Sequence, residues 1–220
     1  AAIIGSASAQ SCLSTTNGLT FREEQLTSNY TEVREYIMCP NTVYNIGTLD
    51  INNNLMAGGQ DYIQARPNLH LKCGADGKRA NNCVISGGDV QVEATEFFGE
   101  RLPVTNVRFE GFVFALSNRY NVWATKPGNI TFVDCEFRQN TRALTPVYLD
   151  HYNSTHPMEQ LRVTFEGCSF TNNRYFGEGA SPAVVVGNGN QNTLHFDRCI
   201  FSGNDFVFNN TQFEKSSALV

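Results

Sequence analysis

The sequence predicts an all-β solenoid, in which short strands wind into coils that stack in parallel and a short helix caps the N-terminal end. Three observations carry this prediction. One pattern, F-x-x-[CF]-x-F, occurs four times, at Phe109–Phe114, Phe132–Phe137, Phe165–Phe170 and Phe196–Phe201, with starts 23, 33 and 31 residues apart. Asparagine returns three residues after the last Phe, at Asn140, Asn173 and Asn204; in the first copy the nearest equivalent is Asn118, one residue late. The 220 residues include 24 Asn and 18 Gly but only 17% charged side chains. Asn and Gly both tolerate left-handed backbone, so their excess predicts many tight turns.

Alternation explains each repeated segment. Neighbouring residues of a strand face opposite sides. In Val163-Thr164-Phe165 the flanking residues point inward and Thr164 outward, Glu166-Gly167 supplies a bend, and Cys168-Ser169-Phe170 resumes the alternation. The inward set is apolar in every copy. The outward set is mixed: Arg108, Thr131, Thr164 and His195 before the bend, Val113, Glu136, Ser169 and Ile200 after it. One coil cannot bury such an inner face, but stacked coils can, with equivalent residues about 4.8 Å apart in columns. Unequal spacing is tolerated because insertions leave as loops at the turns.

Less regular coils precede the repeats. Tyr36–Cys39 with Val43–Ile46 reads as the first, and Leu69–Cys73 with Cys83–Ile85 as the next. β-rich runs at Ala143–Tyr148, Ala183–Val186 and Phe206–Phe208 supply later strands of their coils. Thr20-Phe-Arg-Glu23 has capping-box spacing and opens a short helix to about residue 28, which would cover the open end of the stack. The expected organisation is a signal-peptide remnant over 1–9, a cap over 10–35 and the β domain over 36–220, clearest over 104–210.

The N-terminal AAIIGSASA, an apolar run ending in small residues, reads as the tail of a signal peptide. Sequons at Asn29, Asn129, Asn153 and Asn209 agree with export and make the chain a candidate secreted glycoprotein. In an oxidising compartment Cys12, Cys39, Cys73 and Cys83 would form two bridges. Three connectivities exist; the favoured one joins Cys12 to Cys39 and Cys73 to Cys83, the second closing the turn-rich loop GADGKRANN. The net charge of −5 gives no basic footprint for nucleic acid. No apolar run approaches the roughly 18 residues of a membrane helix.

The phrases ITFVDCEFRQN, VTFEGCSFTNNR and LHFDRCIFSGND resemble the coils of the right-handed parallel β-helix, the pectin-lyase-like superfamily. The resemblance covers residues 104–210 well and 36–103 loosely. YIMCPNTVYNIG together with CGADG and NNCVISGG also resembles uncharacterised secreted β-helix proteins of diatoms. This likeness implies a right-handed β-helix; it does not by itself imply an enzyme.

Asn140, Asn173 and Asn204 read as a structural ladder at the turns, with Asn accepting the left-handed backbone there. Cys135, Cys168 and Cys199 read as a buried column of small apolar side chains. Glu110, Asp134, Glu166 and Asp197 would line the bends as an acidic stripe, and stacked carboxylates are candidate calcium ligands. Calcium-dependent lyases of the superfamily give that reading some support; otherwise no cofactor is expected. Asp150, His151 and His156 share one loop, read as a surface insertion. The paired aspartates and Gly-His-Gly-type segment of a polygalacturonase-like hydrolase are missing, and no segment matches a lyase motif around Arg138, Arg162, Arg174 or Arg198. The expected role is therefore a structural or recognition module of the cell surface or extracellular matrix. Its partner would be an extracellular polysaccharide or another matrix protein. The alternatives are a polysaccharide lyase or glycoside hydrolase acting on an acidic polysaccharide, or a glycan-binding module using Tyr120, Trp123, Tyr148 and Tyr152.

Overall fold

The structure is a computed structural model that describes residues 12–13, 31–45, 62–87, 89–92, 96–97, 100–101, 104–117, 121–124, 128–140, 147–150, 160–176, 185–188 and 192–207. The expected leader and capping helix, the sequons at Asn29, Asn153 and Asn209, and the loop holding His151 and His156 lie outside these residues. The described chain is nearly all β. Its one helical element is the single 3-10 turn Arg79–Asn81, and no described helix is long and apolar enough to cross a membrane.

The strands recur in a fixed order, and each circuit of the chain adds one strand to each of two six-stranded sheets. The first sheet runs Arg34–Met38, Leu69–Cys73, Val104–Glu110, Gly128–Val133, Leu161–Glu166, Asn192–Asp197. The second runs Val43–Asn45, Cys83–Ser86, Phe112–Ala115, Glu136–Arg138, Ser169–Thr171, Ile200–Ser202. A third, five-stranded sheet holds Tyr62–Gln64, Asp89–Val92, Val122–Ala124, Val147–Asp150 and Val185–Asn188. Neighbours in all three sheets pair in parallel. The antiparallel pair Glu96–Phe97 with Glu100–Arg101 interrupts the circuits before Val104. The last expected run, near Phe206, does not extend the third sheet: Asp205–Val207 pairs instead with Arg174–Phe176.

Register makes the columns. Tyr36, Leu71, Phe109, Phe132, Phe165 and Phe196 follow one another in the first sheet. Tyr44, Ile85, Phe114, Phe137, Phe170 and Phe201 do so in the second. The rings of Phe109, Phe132, Phe165 and Phe196 stack nearly parallel at 5.1, 5.2 and 5.1 Å. Those of Phe114, Phe137, Phe170 and Phe201 stack at 4.9, 4.7 and 4.9 Å. The two piles meet edge to face, as Phe132 and Phe137 do at 5.5 Å. Both offset stacks and edge-to-face pairs suit the aromatic quadrupole, adding roughly 0.5–1.5 kcal/mol per pair beyond area burial. The corner between the sheets carries Cys83, Phe112, Cys135 and Cys168, all 0% exposed, and then the partly exposed Cys199.

Each corner turns on one left-handed residue. Gly111, Asp134, Gly167 and Arg198 have φ of 74°, 48°, 61° and 51°. Their N–H groups are passed along the stack: Gly111 donates to Val133 O, Asp134 to Glu166 O and Gly167 to Asp197 O. The second turn differs from expectation. The left-handed residues there are Leu116, Gln139, Asn172 and Gly203, one before each ladder position. Placing the strained backbone on the preceding residue lets each ladder amide point into the interior, where Asn140 and Asn173 are fully buried.

Candidate functional site

The asparagine ladder is continuous through the described residues. Asn140 Nδ2 donates to Asn173 Oδ1 at 2.8 Å, and Asn173 Nδ2 donates to Asn204 Oδ1 at 2.9 Å. The same oxygens accept the Asn140 and Asn173 backbone N–H groups. Asn173 and Asn204 also donate to Phe137 O and Phe170 O of the preceding circuits. At the first repeat the ladder position is Ser117, whose N–H donates to Asn140 Oδ1 at 2.9 Å. Asn121 then supplies the amide, exchanging hydrogen bonds of 2.6 and 3.1 Å with Asn140. Asn118, the expected nearest equivalent, is outside the described residues. Through the described residues the ladder is a hydrogen-bonded polar core.

Cys12 is bonded to Cys39 and Cys73 to Cys83. Cys135, Cys168 and Cys199 are free thiols. Each lies within weak hydrogen-bond reach of a carbonyl one circuit back: Phe109 O at 3.6 Å, Phe132 O at 3.4 Å and Phe165 O at 3.4 Å. Burial pushes the Cys135 thiol well above its ordinary range and raises that of Cys199. Cys168 goes the other way, lowered by its hydrogen bond with Cys135, so burial holds only Cys135 and Cys199 further from the reactive thiolate.

A polar cluster is built by the loop between Cys73 and Cys83. The disulfide closes it, left-handed Gly74, Gly77 and Asn82 shape it, and Asn81 Nδ2 ties it to Cys73 O at 2.9 Å. The hydrogen bond from Asn81 also holds Asp76 below the usual carboxylate range. The loop lies along the corner of the stack. Beneath it, a Cβ on Gly111 would stand 2.5 Å from Gly77 O, so only glycine fits there. Gly167, two circuits on, has nothing within 4 Å of such a Cβ and is explained by its positive φ alone.

Arg79 extends from this loop past Gly111 to two later circuits. Its backbone N–H donates to Asp134 Oδ2 at 2.9 Å, its Nη2 lies 3.5 Å from Asp134 Oδ1, and its Nη1 donates to Ser169 Oγ at 2.6 Å. Beside it, Glu136 accepts from Thr171 Oγ1 at 2.9 Å and lies 3.6 Å from Arg138. Val113 and Ser169, on the outward side of the second sheet, are both among the buried residues, and Arg79 covers Ser169 directly.

Register places the expected acidic stripe where the sequence put it. Glu110, Val133, Glu166 and Asp197 are successive partners, and Asp134 sits one position later. The carboxylates do not converge, however. Glu110 is hydrogen-bonded to Arg108, Asp134 is held by Arg79 and Asp197 lies 2.9 Å from Arg198. Among the described residues no three His, Cys, Asp or Glu side chains gather at metal-binding distance. Asn129 is exposed on the first sheet, two residues from half-buried Thr131 on the same side. In the third sheet Trp123 is half-buried between fully buried Val122 and Ala124, and it pairs in register with Gln91 and Tyr148. The other aromatic candidates, Tyr120 and Tyr152, lie outside the described residues.

Arg79 and Asn121 are the site residues that sequence reasoning missed. No local signal pointed to either: Gly111 meets Gly77 and Lys78 of the loop, but the equivalent Gly167 meets nothing, so a glycine at this corner does not announce a close approach. No known protein family, curated protein or solved structure matches the chain.

Proposed function

We propose that the chain is a secreted, N-glycosylated module of the right-handed parallel β-helix kind, with a structural or recognition role at the cell surface or in an extracellular matrix and without turnover. The observation that carries this reading is the pairing of the corner carboxylates. Three of the four, Glu110, Asp134 and Asp197, each lie against an arginine, which argues against those three serving as a general base or a calcium cradle. Two disulfides agree with an oxidising compartment. Asn129 and Thr131, side by side on an outer face, present a sequon to solvent. The test is incubation with acidic polysaccharides, with and without calcium, followed by ultraviolet absorbance and reducing ends. No product is expected; depolymerisation would overturn the reading.

Trp123 favours a second reading, a glycan-binding module. Its side chain is half-buried on the third sheet, where the backbone register places Tyr148 beside it in the next circuit, and sugars stack on partly exposed aromatic rings. As the only tryptophan of the chain, Trp123 reports binding directly through its fluorescence. A saturable shift on titration with one polysaccharide would select this reading over a purely structural one.

A further inference from the structure

Cys135, Cys168 and Cys199 follow the left-handed corner residues Asp134, Gly167 and Arg198 in three successive circuits. Backbone hydrogen bonds fix their alignment: Ser169 N donates to Cys135 O and Ile200 N to Cys168 O, both at 2.9 Å. The side chains repeat as well. Each sulfur reaches a Phe carbonyl one circuit back, that of Phe109, Phe132 or Phe165, at 3.6, 3.4 and 3.4 Å. Each also takes a backbone hydrogen bond from the corner one circuit back, Cys135 from Phe112, Cys168 from Cys135 and Cys199 from Cys168. Thiols with the same contacts share one rotamer, so the sulfurs recur at close to the circuit repeat of about 4.8 Å.

That spacing suits an ion better than a disulfide. A sulfur–sulfur bond is only about 2.05 Å long, so joining two in-register thiols has to turn both side chains away from these contacts. A metal–thiolate bond is about 2.3 Å, and one ion midway between two sulfurs spans about 4.6 Å. Three sulfurs in a row cannot converge on a tetrahedral ion, and no group of three ligands gathers among the described residues. Two collinear thiolates suit a soft monovalent ion that accepts two ligands, and soft thiolates favour Cu(I).

The corner also meets the charge. Two thiols give up two protons to water and gain one Cu(I), which leaves one negative charge shared by two sulfurs. The backbone N–H groups of Phe112 and Cys135 already address these sulfurs and remain donors to the thiolates, as a buried charge requires. Cys135 and Cys168 are fully buried, but the half-buried Asp134 and Gly167 immediately precede them. The pair therefore lies one residue beneath the surface, where a local opening of the turn admits an ion.

We infer that Cys135 and Cys168 form a linear binding site for Cu(I), with one ion held between two successive circuits. The test uses the full chain with both disulfides intact and Cu(I) supplied from a chromogenic chelator in the absence of oxygen. The protein should withdraw one Cu(I) per chain. Its unfolding temperature should rise, because an ion held by the folded state alone stabilises that state. X-ray absorption at the copper edge should show two sulfur neighbours at about 2.3 Å. Cys135→Ser and Cys168→Ser should each weaken uptake by about 100-fold or more, the loss expected when one of two tethered ligands is removed. Cys199→Ser should take up copper like the parent chain. Circular dichroism before copper is added shows whether each variant keeps the fold, and the readouts on the parent chain need no variant. No uptake from the chelator, a copper site with three or more ligands, a falling unfolding temperature, or uptake that survives Cys168→Ser would overturn the inference.

Discussion

Asn173 Oδ1 accepts two hydrogen bonds from one residue, at 2.8 Å from Asn140 Nδ2 and 3.3 Å from the Asn140 backbone N–H. With its own Nδ2 donating to Phe137 O and Asn204 Oδ1, this buried amide satisfies four groups on other residues. Asn173→Ala strands several of them at once. Each buried group left unpaired costs about 1–3 kcal/mol, so the variant should lose about 3 kcal/mol or more in urea denaturation. Asn204→Ala, at a partly exposed rung, should cost less, because water can enter the space that the truncated, partly exposed amide leaves. Equal losses would show that the ladder is not a buried network.

The Phe piles should show the same gradient. Phe165 is fully buried and sandwiched between Phe132 and Phe196. Phe165→Ala should cost roughly 3–5 kcal/mol, the range for large core truncations. Phe201→Ala, at the exposed end of the other pile, should cost well under half of that. Thermal unfolding of the two variants side by side checks the ratio.

Two glycines in equivalent corners should respond differently to alanine. Gly167→Ala meets only the left-handed strain, roughly 1–2 kcal/mol. Gly111→Ala adds a clash with Gly77 O and Lys78 C, both backbone atoms, and must push the disulfide loop off the corner. Its loss of stability should exceed that of Gly167→Ala by at least about 1 kcal/mol, on the scale of overpacking costs. Hydrogen exchange should quicken at the Arg79 amide, whose acceptor is Asp134 Oδ2.

Alkali should weaken the fold through Cys135, the buried thiol of the column, against the opposite pull of Cys168, which its hydrogen bond with Cys135 lowers. Burial raises the Cys135 thiol well above its ordinary 9.0, so the folded state binds that proton more tightly than the unfolded chain does. Stability from this group is therefore complete below about pH 9 and is lost as pH climbs toward the raised value. Cys135→Ala should flatten the fall of stability with pH above 9 while costing some stability at neutral pH. An unchanged alkaline slope would remove Cys135 as its cause.

Local periodicity is what the sequence made legible. Phe132, Phe137, Phe165 and Phe170 could be assigned to two inward columns because each repeat states the alternation again, and the ladder followed from a fixed offset. The pairing of Cys73 with Cys83 was legible because the loop between them is short and rich in turn residues. The bond from Arg79 to Ser169 was not, since 90 residues separate the two and nothing in either local pattern refers to the other. Asn121 was missed because it enters the ladder from a turn, outside the repeat. The third sheet was only partly visible. Of the apolar runs that hinted at it, only the later parts fall in the described strands Val147–Asp150 and Val185–Asn188, and Val122–Ala124 is too short to announce itself.

The way Arg79 and the two disulfides are distributed gives the stack a mechanical polarity. Hydrogen bonds between circuits point along the axis, so tension applied along that axis loads them one circuit after another, like a seam being peeled. Near the first circuits the seam is riveted. Cys12–Cys39 fastens the initial segment, and the loop after Cys73 reaches forward to Asp134 and Ser169, sharing the load across several circuits in parallel. No described cross-tie of that kind reaches Asn192–Asp197. A pull on this molecule would strip it from that side first, leaving the riveted circuits as the grip that lets go last.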